Sequence, residues 1–184
     1  YEATFQFNKV LVMLDVLVKT KNGWDAYEVK SSLALSETYY TEAALQYYVI
    51  TNSGLELNSF SLVYVNKDYQ KKEGEIDLSS YFIKKEVSKE IIGKQNDIAK
   101  KIDEEIEILS GAHSPKIDVG AHCFSPYSCD FIGFCWKNKP KDLFKIPSLT
   151  HSERKELLNQ GILDKKELGS LKWENPVIKK QLDC

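Results

Sequence analysis

Two carboxylates and a lysine, Asp15, Glu28 and Lys30, have the residue types and spacing best suited to chemistry. Asp15 lies in a Val-rich run, and Glu28 and Lys30 lie in the next run, across an Asn-Gly turn that predicts a β-hairpin. Asp15 faces Lys30 if the loop is Asn22-Gly23, and it faces Glu28 if the loop is Lys21-Asn22. Because both registers keep the same side-chain alternation, either one places all three polar side chains on one face of the sheet.

The chemistry predicted for this trio is metal-dependent hydrolysis of a phosphodiester. Two carboxylates and an ammonium group are costly to bury among valines unless another charge compensates them. Oxygen ligands from Asp15 and Glu28 suit Mg²⁺ or Mn²⁺, with coordination positions left for water and a phosphate oxygen. Lys30 would orient that water or stabilise the pentacovalent phosphorus. The structural alternative is a partly exposed Asp15–Lys30 ion pair on an edge hairpin.

The elements around the trio predict an α/β fold. Residues 4–18 are apolar at nearly every position, which is typical of one strand covered on both faces. A helix is expected to begin at Ser36 or Thr38 and to end at Gly54. Residues 57–65 alternate as a further strand. Strand, helix and strand in this order predict a right-handed βαβ unit with parallel strands.

The rest of the chain is predicted to form a helix and two smaller parts. Residues 88–109 repeat their isoleucines with helical spacing. We therefore expect a core of residues 1–110, a loop-rich cysteine module of residues 111–147 and a short helical tail of residues 148–184.

Composition narrows the functional class. The chain has 184 residues, 42% of them hydrophobic and 28% charged, which are ordinary globular values. No apolar run is long enough for a membrane span, and no cationic leader precedes one. A net charge of -2 gives no global attraction to phosphate, so contacts with nucleic acid must come from local patches. The cysteine spacing does not resemble a disulfide framework, so a reducing, cytoplasmic location is expected.

The pattern D-x12-E-V-K followed by a helix with Gln46 resembles the PD-(D/E)xK nucleases, in particular their RecB-like branch. The resemblance implies a restriction-endonuclease-like mixed sheet flanked by helices. It also implies that Asp15 and Glu28 bind Mg²⁺ or Mn²⁺, that Lys30 is catalytic, and that Gln46 orients the substrate or a metal ligand. Glu2 occupies a position where such proteins often carry a further acidic residue. The implied activity is hydrolysis of DNA, at single-stranded ends and in DNA repair, with RNA as the alternative substrate.

Three cysteines spaced C-x5-C-x5-C predict ligation of a metal or a cluster. Their arrangement is similar to the cysteines that hold a [4Fe-4S] cluster in some RecB-like nucleases. The implied ligands are Cys123, Cys129 and Cys135, with the fourth supplied by Cys184, His122 or a residue upstream of the chain. Zinc bound with His122 or His113 would satisfy the same ligand set. Three free thiols in a loop are the structural alternative.

Some features depart from the RecB-like pattern. Ile50 stands where the family usually has a tyrosine, and the first cysteine spacing is longer than the common C-x2-C. RecB-like enzymes also carry an upstream helical segment, whereas this chain begins inside its first strand. We therefore expect weakened or absent activity if the chain is a fragment, and a further C-terminal domain in a longer protein. The alternative function is a non-catalytic nucleic-acid-binding or scaffolding module that keeps the nuclease fold.

Overall fold

A computed structural model describes residues 1–182 and divides the chain into two compact units, Tyr1–Ser114 and a second unit from Pro115 onward. All strands of the described chain lie in the first unit. In the same residues, no helix is both long and apolar enough to cross a membrane. The elements of the first unit are β1 (Ala3–Phe7), β2 (Val10–Leu14), β3 (Val16–Thr20), β4 (Gly23–Lys30), α1 (Glu37–Asn52), β5 (Leu57–Val65), α2 (Leu78–Tyr81), β6 (Phe82–Glu86), α3 (Ser88–Ile92) and α4 (Gln95–Ser110).

The first unit is α/β, with a mixed four-stranded sheet flanked by helices. The strand order is β3-β4-β5-β6, in which β4 and β5 are parallel and the outer pairs are antiparallel. Helix α1 connects the two parallel strands, so the predicted strand-helix-strand unit is confirmed. The Cα register pairs Val16 with Tyr27 and Thr20 with Gly23, which leaves Lys21-Asn22 as the loop. This is one of the two registers expected from the sequence.

The single strand predicted for residues 4–18 is wrong, because the chain reverses within it. Strands β1 and β2 form an antiparallel pair in which Phe7 lies opposite Val10. Asn8 and Lys9 form the two-residue loop with φ values of 46° and 64°. Two positive φ values in succession are characteristic of the tight turn that suits strand twist, and asparagine tolerates this conformation well. The ladder is interrupted again at Asp15, after which β3 begins.

Helix α1 has the limits expected from its sequence. Ser36 occupies the N-cap position, and Gly54 follows the C-cap residue Ser53 with a φ of 96°. A left-handed residue directly after a helix is the usual termination, and glycine adopts it without steric cost. The side chains that α1 buries in the first unit are Ala43, Ala44, Gln46, Val49 and Ile50. Three apolar side chains of the sheet, Ala26, Phe60 and Leu62, are fully buried in the same core.

The continuous helix predicted for residues 88–109 is divided into α3 and α4. Gly93, a poor helix former, lies at the break. The side-chain amide of Gln95 donates hydrogen bonds to the carbonyls of Ile91 and Ala44, at 2.8 Å and 3.1 Å. The first bond adds a donor to the Ile91 carbonyl at the end of α3, and the second links the segment between α3 and α4 to helix α1.

The second unit is a small helical unit with its own apolar core. Its helices are α5 (Ile132–Cys135), α6 (His151–Asn159), α7 (Lys165–Ser170) and α8 (Pro176–Leu182), with 3-10 turns at Ala121–Cys123 and Asp142–Lys145. Trp136 and Leu143 of the expected cysteine module pack in one buried cluster with Leu168 and Ile178 of the expected tail. Capping boxes at Thr150 and Asp164 begin α6 and α7. Residues of both predicted parts therefore share a core.

This shared core predicts that a cavity made in the tail loosens the cysteine region. In Leu168→Ala, which truncates a fully buried side chain, we expect the free energy of unfolding to fall by about 2–5 kcal/mol. The thiol of Cys123, 5% exposed in the same cluster, should react faster with an alkylating reagent, as mapped by mass spectrometry. Val177→Ala, at a side chain that is 53% exposed, is the matched control and should change neither quantity. Unchanged Cys123 reactivity in Leu168→Ala would contradict the shared core.

Candidate active site

Glu28 lies at the centre of a buried polar network on β4. Strand alternation directs Ala26, Glu28 and Lys30 toward the same face, and Glu28 is only 8% exposed. The Oε1 atom of Glu28 accepts a hydrogen bond from Lys30 Nζ at 3.0 Å, and its Oε2 accepts one from Gln46 Nε2 at 3.0 Å. The structure therefore joins three of the residues that the sequence analysis selected.

Helix α1 supplies two partners that the sequence analysis missed. The Nζ atom of Lys30 donates a 2.7 Å hydrogen bond to Glu42 Oε2 and lies 5.2 Å from the centroid of the Tyr39 ring. Tyr39, Glu42 and Gln46 are spaced i, i+3 and i+7, so they lie on one face of the helix. That spacing was visible beside Gln46 and is the signal that could have identified Glu42 as a site residue.

Two carboxylates keep Lys30 charged. Partial burial of its ammonium group lowers the pKa, but hydrogen bonds and charge from Glu42 and Glu28 outweigh the burial, so the pKa is raised above its ordinary value of 10.5. Lys30 is therefore an ammonium cation throughout the neutral range. It can stabilise negative charge at this site, and it cannot act there as a base.

Asp15 completes the end of β4 through a hydrogen bond to the backbone. The β3–β4 ladder reaches only as far as Val16 and Tyr27, and beyond it the Oδ2 atom of Asp15 accepts a 2.7 Å hydrogen bond from the Val29 N–H. Asp15 and Lys30 line the same cavity, of about 720 Å³. Lys30 makes its ion pairs with Glu28 and Glu42, so the simple Asp15–Lys30 pair considered as a structural alternative is not formed.

Glu2 lies at the mouth of the same cavity. Its backbone N–H donates a 3.0 Å hydrogen bond to the Asp15 carbonyl, which holds the start of the chain beside Asp15. The side chain of Glu2 is exposed and lines the cavity together with Asp15 and Lys30. The aromatic residues Tyr1, Tyr81 and Phe82 form part of the remaining wall.

The donor chemistry of the site fits a hard divalent cation. Within residues 1–182 no group of three or more His, Cys, Asp or Glu side chains is disposed to hold a metal ion. Mg²⁺, however, usually binds through one or two carboxylates with water and substrate oxygens. The two carboxylates expected from the sequence are Asp15, which lines the cavity, and Glu28, which is buried in the network with Lys30 and Gln46. The amide oxygen of Gln46, which hydrogen-bonds to Glu28 through its nitrogen, is buried and has no hydrogen-bond partner in the part of the chain that the structure describes.

The cysteines occupy different environments in the second unit. Cys123 is buried, whereas Cys129 and Cys135 are exposed, and all three are free thiols. The N–H of Cys129 donates a 2.9 Å hydrogen bond to the Cys123 carbonyl, which closes the loop between them. His122 is exposed beside Cys123. His113 belongs to the first unit, and Cys184 lies outside the described residues.

The Lys30 network predicts a stability difference that depends on pH. In Lys30→Met, Glu28 keeps its buried charge without the ammonium, so we expect the free energy of unfolding at neutral pH to fall by about 1–3 kcal/mol. Because the folded pKa of Lys30 is raised, its contribution is fully present below about pH 10.5 and is lost as the pH rises further. Urea unfolding from neutral to alkaline pH measures the difference between the variant and the unmodified chain.

The matched control is Lys94→Met. This variant removes the ion pair that Lys94, which precedes α4, forms with the exposed Glu37 of α1. An exposed pair contributes about 0–1 kcal/mol, so this variant should differ little from the unmodified chain. Equal losses of stability in the two lysine variants would contradict the buried network.

Comparison with known proteins adds no family to these observations. No protein-family model, no curated protein and no solved structure matches the chain. The structure establishes the α/β class and the mixed four-stranded sheet flanked by helices. Any finer assignment depends on the polar residues of the first unit and on how they are arranged.

Proposed function

We propose that the chain is a metal-dependent nuclease of the PD-(D/E)xK type that hydrolyses DNA phosphodiesters at single-stranded ends. The observation that carries the proposal is the hydrogen-bonded network of Glu28, Lys30 and Gln46 beside the cavity that Asp15 and Lys30 line. The carboxylate, ammonium group and amide that one strand and the following helix supply include groups that can stabilise charge in phosphoryl transfer.

Asp15 and Glu28 are the proposed ligands of Mg²⁺ or Mn²⁺, with Glu2 as a further acidic residue at the mouth of the cavity. A cation bound there would supply a more acidic water molecule and neutralise part of the phosphate charge. Gln46 positions the Glu28 carboxylate through its 3.0 Å hydrogen bond. The Val29 N–H fixes one oxygen of Asp15 in the same way and leaves the other oxygen for a ligand.

Lys30 is the residue proposed to stabilise the transition state. Lys30 is one of the residues that line the cavity, and its raised pKa maintains the positive charge at neutral pH. Charge that develops on a phosphoryl oxygen is stabilised best by a cation whose position is fixed before the reaction. Glu42 and the Tyr39 ring provide that fixation, so both are positioning residues.

The cavity walls support a single-stranded substrate. Tyr1, Tyr81 and Phe82 lie in the wall together with Asp15 and Lys30. Aromatic rings beside charged groups are the usual means of stacking unpaired bases while the backbone is held. DNA and RNA share this chemistry, so RNA remains the alternative substrate, and parallel assays on oligonucleotides of one sequence distinguish them.

A non-catalytic nucleic-acid-binding or scaffolding module within a larger protein is the second candidate function. The observation in its favour is that both carboxylate oxygens of Glu28 already accept hydrogen bonds, from Lys30 and Gln46. A network that satisfies its own members can serve stability alone.

The nuclease proposal predicts that Asp15→Asn abolishes cleavage while the chain remains folded. An asparagine oxygen can still accept the Val29 hydrogen bond, so the variant removes the charge and keeps the shape. We expect the cleavage rate on labelled single-stranded DNA with Mn²⁺ to fall by a factor of about 10² or more. Asp25→Asn is the matched control, because that carboxylate lies on β4 but is bound by Asn58 and Ser59, and it should retain activity.

Two results would contradict the nuclease. One is cleavage by Asp15→Asn at the rate of the unmodified chain. The other is an unmodified chain that binds no Mn²⁺ in calorimetric titration and cleaves neither DNA nor RNA, which would favour the scaffolding module. Binding of Mn²⁺ that disappears in Glu28→Gln supports the enzyme.

For the second unit we propose a [4Fe-4S] cluster held by Cys123, Cys129 and Cys135, with zinc as the alternative metal. Support comes from three free thiols and from the hydrogen bond that closes the loop between the first two. Soft thiolates are the preferred ligands of iron–sulfur clusters. Cys184 and His122 are the candidates for the fourth ligand within this chain.

The cluster proposal predicts visible absorbance and bound iron after anaerobic purification. Both should decrease in Cys129→Ser, since an alcohol is a poor substitute for a thiolate ligand. Iron and zinc analysis of the same sample distinguishes the two metals. A colourless protein without either metal would contradict ligation by these cysteines.

A further inference from the structure

The second unit contains a pocket with several basic side chains, and no cysteine of the described residues is among those that line it. The pocket has a volume of about 240 Å³, and three basic side chains, His151, Arg154 and Lys155 of helix α6, line it. Ser125 and Ser128 also line this pocket. No carboxylate is among the described residues that line it. The polar groups of this pocket thus include cations and hydroxyls and exclude acids.

Helix α6 separates its charges between two faces. With about 100° of rotation per residue, His151, Arg154 and Lys155 fall within one arc of about 100°. The helix's two glutamates, Glu153 and Glu156, lie on the opposite side and line a different pocket with Trp173. The cationic side is therefore not neutralised by the acids of its own helix.

Arg154 is held in place before any ligand binds. Its Nη2 atom donates a 3.0 Å hydrogen bond to the Ile146 carbonyl. The Nε atom of the same guanidinium has no hydrogen-bond partner in residues 1–182. A fixed guanidinium loses little conformational freedom when it binds an anion, and it is the side chain best matched to phosphate oxygens.

Aromatic rings adjoin the cations. Phe124 and Phe144 line the pocket with ring centroids 4.9 Å apart, and Phe144, which also packs on Trp136, is 36% exposed. Cationic groups that contact a phosphate backbone beside a ring that can accept a base are the combination used for single-stranded nucleic acids. A phosphate alone would not require the rings.

We propose that this pocket binds a backbone phosphate of single-stranded nucleic acid, with the adjacent base on Phe144. The site lies within the second unit and requires neither the metal nor the chemistry proposed for the first unit. It gives the chain a means of holding a strand that is independent of cleavage.

The test is the fluorescence anisotropy of a short labelled oligothymidylate, titrated with the full chain in EDTA so that no cleavage occurs. Lys155→Gln should weaken binding about tenfold, the loss of one charge-assisted contact. It should also reduce the slope of log affinity against log salt concentration by about 0.7. Lys166→Gln removes the same charge from an exposed position of α7 that does not line the pocket, and it should bind like the unmodified chain.

A second arm identifies the ligand. An oligonucleotide of the same sequence with a neutral methylphosphonate backbone should bind weakly and equally to the unmodified chain and to Lys155→Gln. Equal binding of the normal oligonucleotide by these two proteins, or equal weakening in Lys166→Gln, would overturn the proposal. So would tighter binding of a phosphoserine peptide than of the oligonucleotide. If the unmodified chain does not cleave DNA or RNA but its binding of the oligonucleotide depends on Lys155, the result contradicts the nuclease proposal and supports the phosphate pocket.

Discussion

The Lys30 ammonium group, shared by Glu28 of the sheet and Glu42 of helix α1, is the interaction on which the first unit depends. Glu28 lies among fully buried side chains such as Ala26, where an unpaired carboxylate would cost several kcal/mol. Lys30 offsets part of that cost from the same strand, and Glu42 and Gln46 of α1 bind the two members of this pair from the helix. The network therefore fixes how the helix sits on the sheet.

A second requirement, that a backbone N–H of β4 needs a hydrogen-bond partner, accounts for the position of Asp15 at the break in the sheet. Strand β4 extends beyond the last residue that β3 can pair, so the Val29 N–H would lack a partner in the ladder. The side chain of Asp15 supplies that partner, and its carboxylate is thereby held at the edge of the cavity that Lys30 lines. A backbone N–H of β4 thus fixes the direction of an acidic side chain. The hydrogen bond between Val29 N–H and Asp15 both completes the backbone of β4 and orients the carboxylate. Replacement of Asp15 by asparagine keeps the hydrogen bond and removes the charge, so it separates these two roles better than truncation to alanine does.

The sequence was most informative where a local rule determines the geometry. Side-chain alternation within β4 predicted the common face of Glu28 and Lys30, and a serine cap with a following glycine predicted the limits of α1. The break of residues 4–18 was missed because Asn8-Lys9 lacks glycine, and a positive φ at lysine has no local signal. Strand β6 was missed because its residues are mostly exposed and its pairing comes from β5 alone. The helical spacing of Glu42 from Gln46 indicated a shared face of α1, but the contact of Glu42 with Lys30 also depends on how α1 packs against β4.

The candidate sites of the two units differ in the sign of the charges that a phosphate would meet: acidic side chains predominate in the first and basic side chains in the second. In the first unit, Glu28 and Glu42 bind the Lys30 ammonium group, and Glu2 and Asp15 add two further carboxylates to the lining of the cavity. A phosphate that approaches this site meets net repulsion unless a further cation is bound, so the proposed chemistry and substrate entry both require the metal. The cationic face of α6 has no such requirement, because its acids lie on the other side of the helix. The proposed retention of a strand therefore depends on the basic side chains of α6, whereas both entry and reaction at the first site depend on the proposed metal.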